Sequence, residues 1–113
     1  MPRDAIVYLE DILQAIERIR QYTEGYDLSK FKNDMRTADA VVRNLEILGE
    51  AVKKLPDETR SKQPHIEWVK IGSLRDILIH EYFGVDLDIL WDVVTSKLPA
   101  LEQAVMKLLE PPA

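Results

Sequence analysis

The sequence lacks cysteine altogether and has only two histidines among its 113 residues. The absence of cysteine excludes a disulfide framework, thiolate metal sites and cysteine nucleophiles. With no C-x-x-C and no H-x-x-x-H pattern, a transition-metal site has little support. The chain also lacks the Gly-Lys-Ser/Thr loop that cradles a nucleotide phosphate. We therefore expect neither a metal ion nor a cofactor.

Long apolar runs are missing as well. No uncharged stretch approaches the roughly 20 residues that a membrane-spanning helix needs, and no charged-then-apolar leader opens the chain. We therefore expect a cytoplasmic protein with no membrane partner. The hydrophobic content of 46% is enough for a core, and we predict a single helical domain over residues 1–113.

Charge is distributed unevenly along the chain. The net charge of −5 argues against broad, nonspecific affinity for nucleic acid. Residues 53–75 nevertheless carry a local excess of three positive charges, whereas residues 76–94 contain five acids and no lysine or arginine. This pattern fits a local phosphate-facing patch beside an acidic surface, and it fits two solvated faces equally well.

Apolar residues recur at three- and four-residue steps, which predicts helices. The first helix covers about residues 4–24, and a second runs from a cap at Ser29 to about Leu55, where Pro56 stops it. Gly49 within the second helix suggests a close approach to another backbone, because a mid-helix glycine otherwise costs about 1 kcal/mol relative to alanine. A strict heptad seam supports this second helix: Phe31, Met35, Ala38, Val42, Leu45, Gly49 and Val52.

Two further helices complete the prediction. Residues 56–65 form a loop with one helical turn, and a third helix begins near Ile66 and ends before Gly84. Asp86 caps a fourth helix, which Pro99 should kink or divide. No segment alternates with the period of a strand. We predict an all-α fold, an antiparallel four-helix bundle with a kinked or split last helix.

The candidate site lies on the third helix, in the stretch Arg75-Asp-Ile-Leu-Ile-His80-Glu-Tyr82. At about 100° per residue, Tyr82 falls roughly 20° from Arg75, whereas His80 is turned away by about 140°. Three explanations remain open: the helix ends near His80, long side chains bend around it, or two copies of the helix complete one another. We favour the last, which predicts a homodimer.

Each of these residues also has an ordinary structural explanation. His80 could interact favourably with the helix dipole near a helix end, Arg75 could form an interhelical salt bridge, and Tyr82 could border the core. Asp76 lies one turn before His80 and could orient its imidazole or raise its pKa, or simply be solvated.

A second motif has little support. The pair Gly72-Ser73, followed by Asp86-Leu-Asp88, superficially echoes nucleotidyltransferases. Those enzymes carry their aspartates on a strand, and this chain has no strand candidate.

The pattern Arg75-x4-His80-x-Tyr82 resembles the R-x4-H-x-Y motif of HepT-like HEPN proteins. Two more stretches carry the resemblance across nearly the whole chain: residues 43–51 are similar to the family's second-helix pattern, and residues 68–91 to its core block. One departure is Asp76, since the residue after the motif arginine is often asparagine in relatives.

The resemblance implies a metal-independent endoribonuclease, the toxin of a toxin–antitoxin pair, with RNA and not DNA as its substrate. His80 would be the base and Arg75 the phosphate ligand. A partner nucleotidyltransferase, the antitoxin, would transfer AMP onto Tyr82. A second hypothesis is a non-catalytic HEPN binding module that serves a separate nucleotidyltransferase. The two hypotheses differ in what they require of His80, because only the enzyme needs its imidazole.

Overall fold

The structure is a computed structural model that describes residues 3–80 and 86–111, without the side chains of positions 79 and 80. All the regular structure in these ranges is helical, as predicted, and no strand occurs in them. The α-helices are α1 (Arg3–Thr23), α2 (Leu28–Lys32), α3 (Met35–Lys54), α4 (Asp57–Ser61), α5 (Trp68–His80), α6 (Leu87–Asp92) and α7 (Leu98–Leu109). A π-helical turn, Val93–Lys97, lies between α6 and α7.

The central element of the bundle is α3. It packs against α1 on one side and α5 on the other, while α1 also contacts α7 and the short α2 contacts α6. Burying one large aliphatic side chain contributes roughly 1.5–3 kcal/mol, so the shared core is what holds these helices together. The helices α1, α3 and α7 contribute many of its fully buried members, among them Leu9, Ile12, Ile16, Ile19, Leu45, Leu48, Val52, Leu101 and Val105.

The predicted second helix is wrong in one respect, because it is two helices. The chain breaks at positions 33 and 34, between α2 and α3. The cap of α2 is Asp27, whose Oδ1 accepts a hydrogen bond from the Lys30 backbone N–H at 2.8 Å. Ser29, the predicted cap, lies inside the first turn of α2.

A second cap starts α3. Asp34 Oδ1 accepts from the Thr37 backbone N–H at 3.1 Å, and the Tyr26 hydroxyl donates to Asp34 Oδ2 at 2.6 Å. Such local hydrogen bonds compete with the helical ladder and favour a new helix start. Met35 therefore opens a helix and is 63% exposed, so the predicted seam is interrupted there.

The second half of the chain follows the prediction more closely. The predicted loop turn is α4, and α5 begins at Trp68, two residues later than expected. Asp86 caps α6 by accepting from the Asp88 backbone N–H at 2.8 Å. The last helix is divided at the π-helical turn, and Pro99 lies in the first turn of α7, where its missing N–H costs no helical hydrogen bond. The predicted helix end before Gly84 lies outside the described residues.

Candidate active site

A close crossing of α3 and α5 positions the motif arginine. A Cβ atom added at Gly49 would lie 3.0 Å from Arg75 Cβ and 3.2 Å from Arg75 N. Real Cβ atoms are rarely so close to a neighbour, so glycine permits this approach without displacing α5. The close approach predicted at Gly49 is therefore confirmed, and it brings the backbone of Arg75 directly against α3.

Two carboxylates hold the Arg75 guanidinium. Its Nε lies 2.9 Å from Glu50 Oε2, and its Nη1 donates to Asp76 Oδ1 at 3.2 Å. These contacts engage two of the five N–H donors of an arginine. The side chain remains 38% exposed, so an anion approaching from solvent can reach it.

Two lysines from α3 balance the two carboxylates. Lys53 Nζ lies 3.1 Å from Asp76 Oδ2, and Lys54 Nζ lies 3.7 Å from Glu50 Oε1. The hydrogen bond from Lys53, together with that from Arg75, lowers the pKa of Asp76 below its ordinary range. We call these five side chains the Arg75 cluster. With three cations and two anions, it carries a formal charge of +1.

Sequence reasoning missed Glu50, Lys53 and Lys54. The signals for them were indirect: Glu50 stands in the family-like stretch 43–51, and both lysines open the basic stretch 53–75. Their pairing with Arg75 and Asp76 depends on how α3 crosses α5, which spacing along one chain does not reveal.

The other motif residues are only partly described. His80 is the last described residue of α5, but its side chain lies outside the description, and Tyr82 is outside it altogether. The predicted meeting of Arg75, His80 and Tyr82 therefore stays a prediction. Asp76 has Lys53 and Arg75 as observed partners, and its predicted role in orienting His80 likewise stays a prediction.

One face of α5 is apolar and exposed. Val69 is 75% exposed and Ile77 is 52% exposed, with Ser73 between them. Position 80 follows position 73 by seven residues, so the helical register turns it only about 20° from Ser73. The motif histidine thus occupies a register position on this exposed apolar face.

Two grooves border α5. One, of about 310 Å³, runs between α5 and α7 and is lined mainly by apolar residues, including Ile71, Leu74 and Leu101. His65 lies at this groove as an exposed loop residue. The other, of about 300 Å³, lies between α1 and α3 and reaches Arg75.

Across residues 3–80 and 86–111, no three His, Asp or Glu side chains cluster in a way that could hold a metal ion. None of the helices in those ranges is long and apolar enough to cross a membrane.

The all-helical bundle, with R-x4-H running along α5 and the tyrosine two residues later in sequence, defines a protein of the HEPN class. A family model described as "Ribonuclease HepT-like" matches residues 12–108. The chain belongs to the HepT-like ribonuclease family.

Relatives are similar over most of the chain. A "Probable ribonuclease HepT" of Thermococcus cleftensis is 43% identical over 96% of this chain and 98% of its own length. A protein of Caldanaerobacter subterraneus subsp. tengcongensis named "Putative RNase" is 44% identical over 91% of this chain and 92% of its own length.

A longer relative shows that similar sequences also occur within larger proteins. The "Gamma-glutamylcyclotransferase and putative RNase" of Methanocaldococcus jannaschii is 44% identical over 97% of this chain, which spans about half (50%) of that protein. No solved structure matches the chain.

Proposed function

We propose that this chain is a metal-independent endoribonuclease that acts as the toxin of a toxin–antitoxin pair. The observation that carries the proposal is the half-exposed Arg75, fixed by Glu50 and Asp76 at the α3–α5 crossing, in a family named for ribonuclease activity. A guanidinium held in this way is prepared to bind a phosphate through its remaining donors. We place the protein in the cytoplasm, where RNA is present and where ATP is available to the nucleotidyltransferase.

The chemistry needs little beyond these residues. The RNA supplies its own nucleophile, the 2′-hydroxyl. His80 accepts the proton of that hydroxyl as the 2′-oxygen attacks the adjacent phosphorus. Arg75 stabilises the charge that develops on the phosphorane oxygens. The bond from phosphorus to the 5′-oxygen then breaks, the 5′-oxygen takes up a proton, and the products are a 2′,3′-cyclic phosphate and a 5′-hydroxyl.

The proposed enzyme is a homodimer. Val69 and Ile77 expose apolar surface on the face of α5 that carries position 80. A twofold axis beside this face would bring the two copies of α5 together, each facing the other in an isologous contact. Such a contact would bury the apolar residues and set both histidines in one shared cleft.

Tyr82 is the proposed switch. A cognate nucleotidyltransferase would join the phenol oxygen to the α-phosphorus of ATP and release pyrophosphate. The spacing along the sequence predicts that Tyr82 falls about 20° from Arg75 on a continuing helix, so the added phosphate would occupy the position that RNA needs. Incubation with the transferase, ATP and Mg²⁺ should add whole AMP units at Tyr82, mapped by peptide mass spectrometry, while cleavage falls in step. AMP on another residue, or equal silencing of Tyr82→Phe, would contradict the switch.

Product chemistry tests the cleavage mechanism. Wild-type protein should leave 2′,3′-cyclic phosphate or 3′-phosphate ends, and a substrate with a single 2′-deoxynucleotide at the mapped cut should survive there while other sites are cut. Cleavage at the deoxy position would exclude attack by the 2′-hydroxyl. RNA binding without cleavage by the wild type would favour the binding module instead.

A further inference from the structure

The groove between α1 and α3 continues directly from the motif arginine. Its wall passes from Tyr8 on α1, over three turns of α3, to Arg75 on α5. We call it the α1–α3 groove. The side chains that line it include Tyr8, Arg43, Glu46, Glu50, Lys54 and Arg75.

Contacts link the aromatic end of this groove to the arginine. Lys54 Nζ lies 5.8 Å from the centre of the Tyr8 ring and 3.7 Å from Glu50 Oε1. Glu50 Oε2 in turn lies 2.9 Å from Arg75 Nε. An RNA strand whose phosphate binds Arg75 therefore has a half-buried tyrosine ring within the same groove, beyond one lysine.

Charge in the groove favours a neutral ligand group. The formal charges of Arg43, Lys54 and Arg75 are cancelled by three acids that also line it, Glu46, Glu50 and Asp11. Away from Arg75, the three acids outnumber Arg43 and Lys54, so a phosphate gains little in that part of the groove. A nucleobase is uncharged, offers a flat surface to an aromatic ring, and has N–H donors that a carboxylate accepts.

Glu46 is the acid best placed to read a base. Its side chain is only 18% exposed, and Arg43 Nη1 lies 3.6 Å from its Oε2. Guanine is the RNA base with two adjacent N–H donors, at N1 and N2, that can meet both oxygens of one carboxylate. A carboxylate in a confined, partly desolvated groove discriminates through such hydrogen bonds.

We propose that the α1–α3 groove binds a guanine base of the RNA substrate, next to the phosphate held by Arg75. Lys54 Nζ, which lies over the Tyr8 ring at 5.8 Å from its centre, swings aside so that Tyr8 stacks on the base, and Glu46 accepts the N–H donors of the base. The inference rests on the proposed ribonuclease function and adds to it a substrate preference that the motif residues alone do not provide.

Binding measurements in a His80→Ala background test the groove separately from catalysis. The probe is a fluorescently labelled pentanucleotide RNA with one central guanine. Tyr8→Ala should weaken its binding about 10-fold, Tyr8→Phe should bind like the parent, and Tyr22→Ala, which removes a tyrosine elsewhere on α1, should change nothing. Replacing the guanine by inosine, which lacks the 2-amino group, should weaken binding to the parent but not to a Glu46→Gln variant.

Cleavage maps supply the second readout. Wild-type protein should cut random-sequence RNA with guanine at one fixed offset from the cut, and Glu46→Gln should lose that preference. If the wild type cuts RNA without base preference and Tyr8→Ala behaves like Tyr22→Ala, the groove proposal is overturned and the ribonuclease proposal stands. If the wild type cuts no RNA while the pentanucleotide results hold, the catalytic proposal fails and the groove proposal stands.

Discussion

At the scale of single residues, Arg75 has partners on its own helix and on its neighbour. Asp76 is adjacent in sequence, whereas Glu50 comes from α3 and bonds Nε across the crossing. The two contacts restrict the guanidinium in different directions. Loss of the contact from α3 would free the long side chain to adopt other rotamers, so we expect Glu50 to act as a positioning residue.

Glu50→Ala should lower the rate of RNA cleavage about 10- to 100-fold, because small displacements of a positioned group are costly in catalysis. Glu50→Gln should retain most activity, since its amide oxygen still accepts from Arg75 Nε. The control is Glu17→Ala, which removes an exposed ion pair to Arg20 on α1. Initial rates with equal melting transitions are the measurement, and equal rates for Glu50→Ala and Glu17→Ala would contradict the positioning role.

The sequence could predict Arg75, His80 and Tyr82 as site residues because their spacing is a pattern within one stretch. It could not reveal the Arg75 cluster as a whole. Lys53 and Asp76 lie 23 positions apart and meet only through the crossing of two helices. Asp76, which stands where relatives often have asparagine, illustrates this. Its negative charge has Lys53 as a counterion in the folded protein.

At the scale of elements, the α3–α5 crossing depends on Gly49. Gly49→Ala would place a methyl group 3.0 Å from Arg75 Cβ and force the helices apart. Overpacking of this kind typically costs 1–3 kcal/mol, so we expect about that loss in the free energy of unfolding in urea, together with weaker RNA cleavage. Unchanged stability and activity would show that α5 can shift freely on α3.

The stability that the Asp34 carboxylate contributes at the break between α2 and α3 should depend on pH. Hydrogen bonds from the Tyr26 hydroxyl and from Thr37 lower the pKa of Asp34 from 3.8 to about 2. A depressed carboxyl pKa stabilises the fold above the unfolded value and loses that contribution as pH falls through the folded value. Asp34→Asn should therefore lower the melting temperature by several degrees at pH 6.

At acid pH, the difference in melting temperature between wild type and Asp34→Asn should become smaller. Between about pH 4 and pH 2 the Asp34→Asn curve should approach that of the wild type, as seen by circular dichroism. Asp27→Asn, which removes the carboxylate charge at the cap of α2 but leaves the contact between Tyr26 and Asp34, serves as the control. A constant gap between wild type and Asp34→Asn at all pH values would contradict the assignment.

The missed break has a physical origin. The apolar seam passes through Phe31 and Met35 without interruption, so periodicity alone predicts one helix. The hydrogen bond from Tyr26 to Asp34 spans eight residues and depends on how the chain turns after α1. By contrast, Pro99 and Asp86 act on their immediate neighbours, and the sequence predicted both effects correctly.

At the scale of the whole molecule, the apolar face of α5 predicts self-association. Ile77→Glu should convert a dimer into a monomer in sedimentation experiments at micromolar concentration, because it places a charge in the proposed contact. Met106→Glu, at an exposed apolar position on α7, should leave the dimer intact. A monomeric wild type with full RNase activity would contradict both the dimer and its shared cleft.

The all-α bundle was predictable because its four main apolar stripes are long and regular, each with capping or stop signals. The assignment of residues 1–113 to one domain and the approach of Tyr82 to the site stay predictions. For the site, the roles of Arg75 and His80 stay predictions from the sequence, and the folded chain added the side chains that contact Arg75.

We propose that Arg75 and His80 cleave RNA without a metal ion. The most direct measurement is the initial rate of RNA cleavage in EDTA by wild type, His80→Ala, Arg75→Ala, Arg75→Lys and an Arg18→Ala control on exposed α1 surface. We predict full activity for wild type and Arg18→Ala, loss of at least about 100-fold for both alanine variants at the site, and poor rescue by lysine, which keeps the charge without the fork. This metal-independent mechanism would be contradicted by a His80→Ala protein that folds normally and cleaves at the wild-type rate. It would also be contradicted by a wild type that EDTA inactivates.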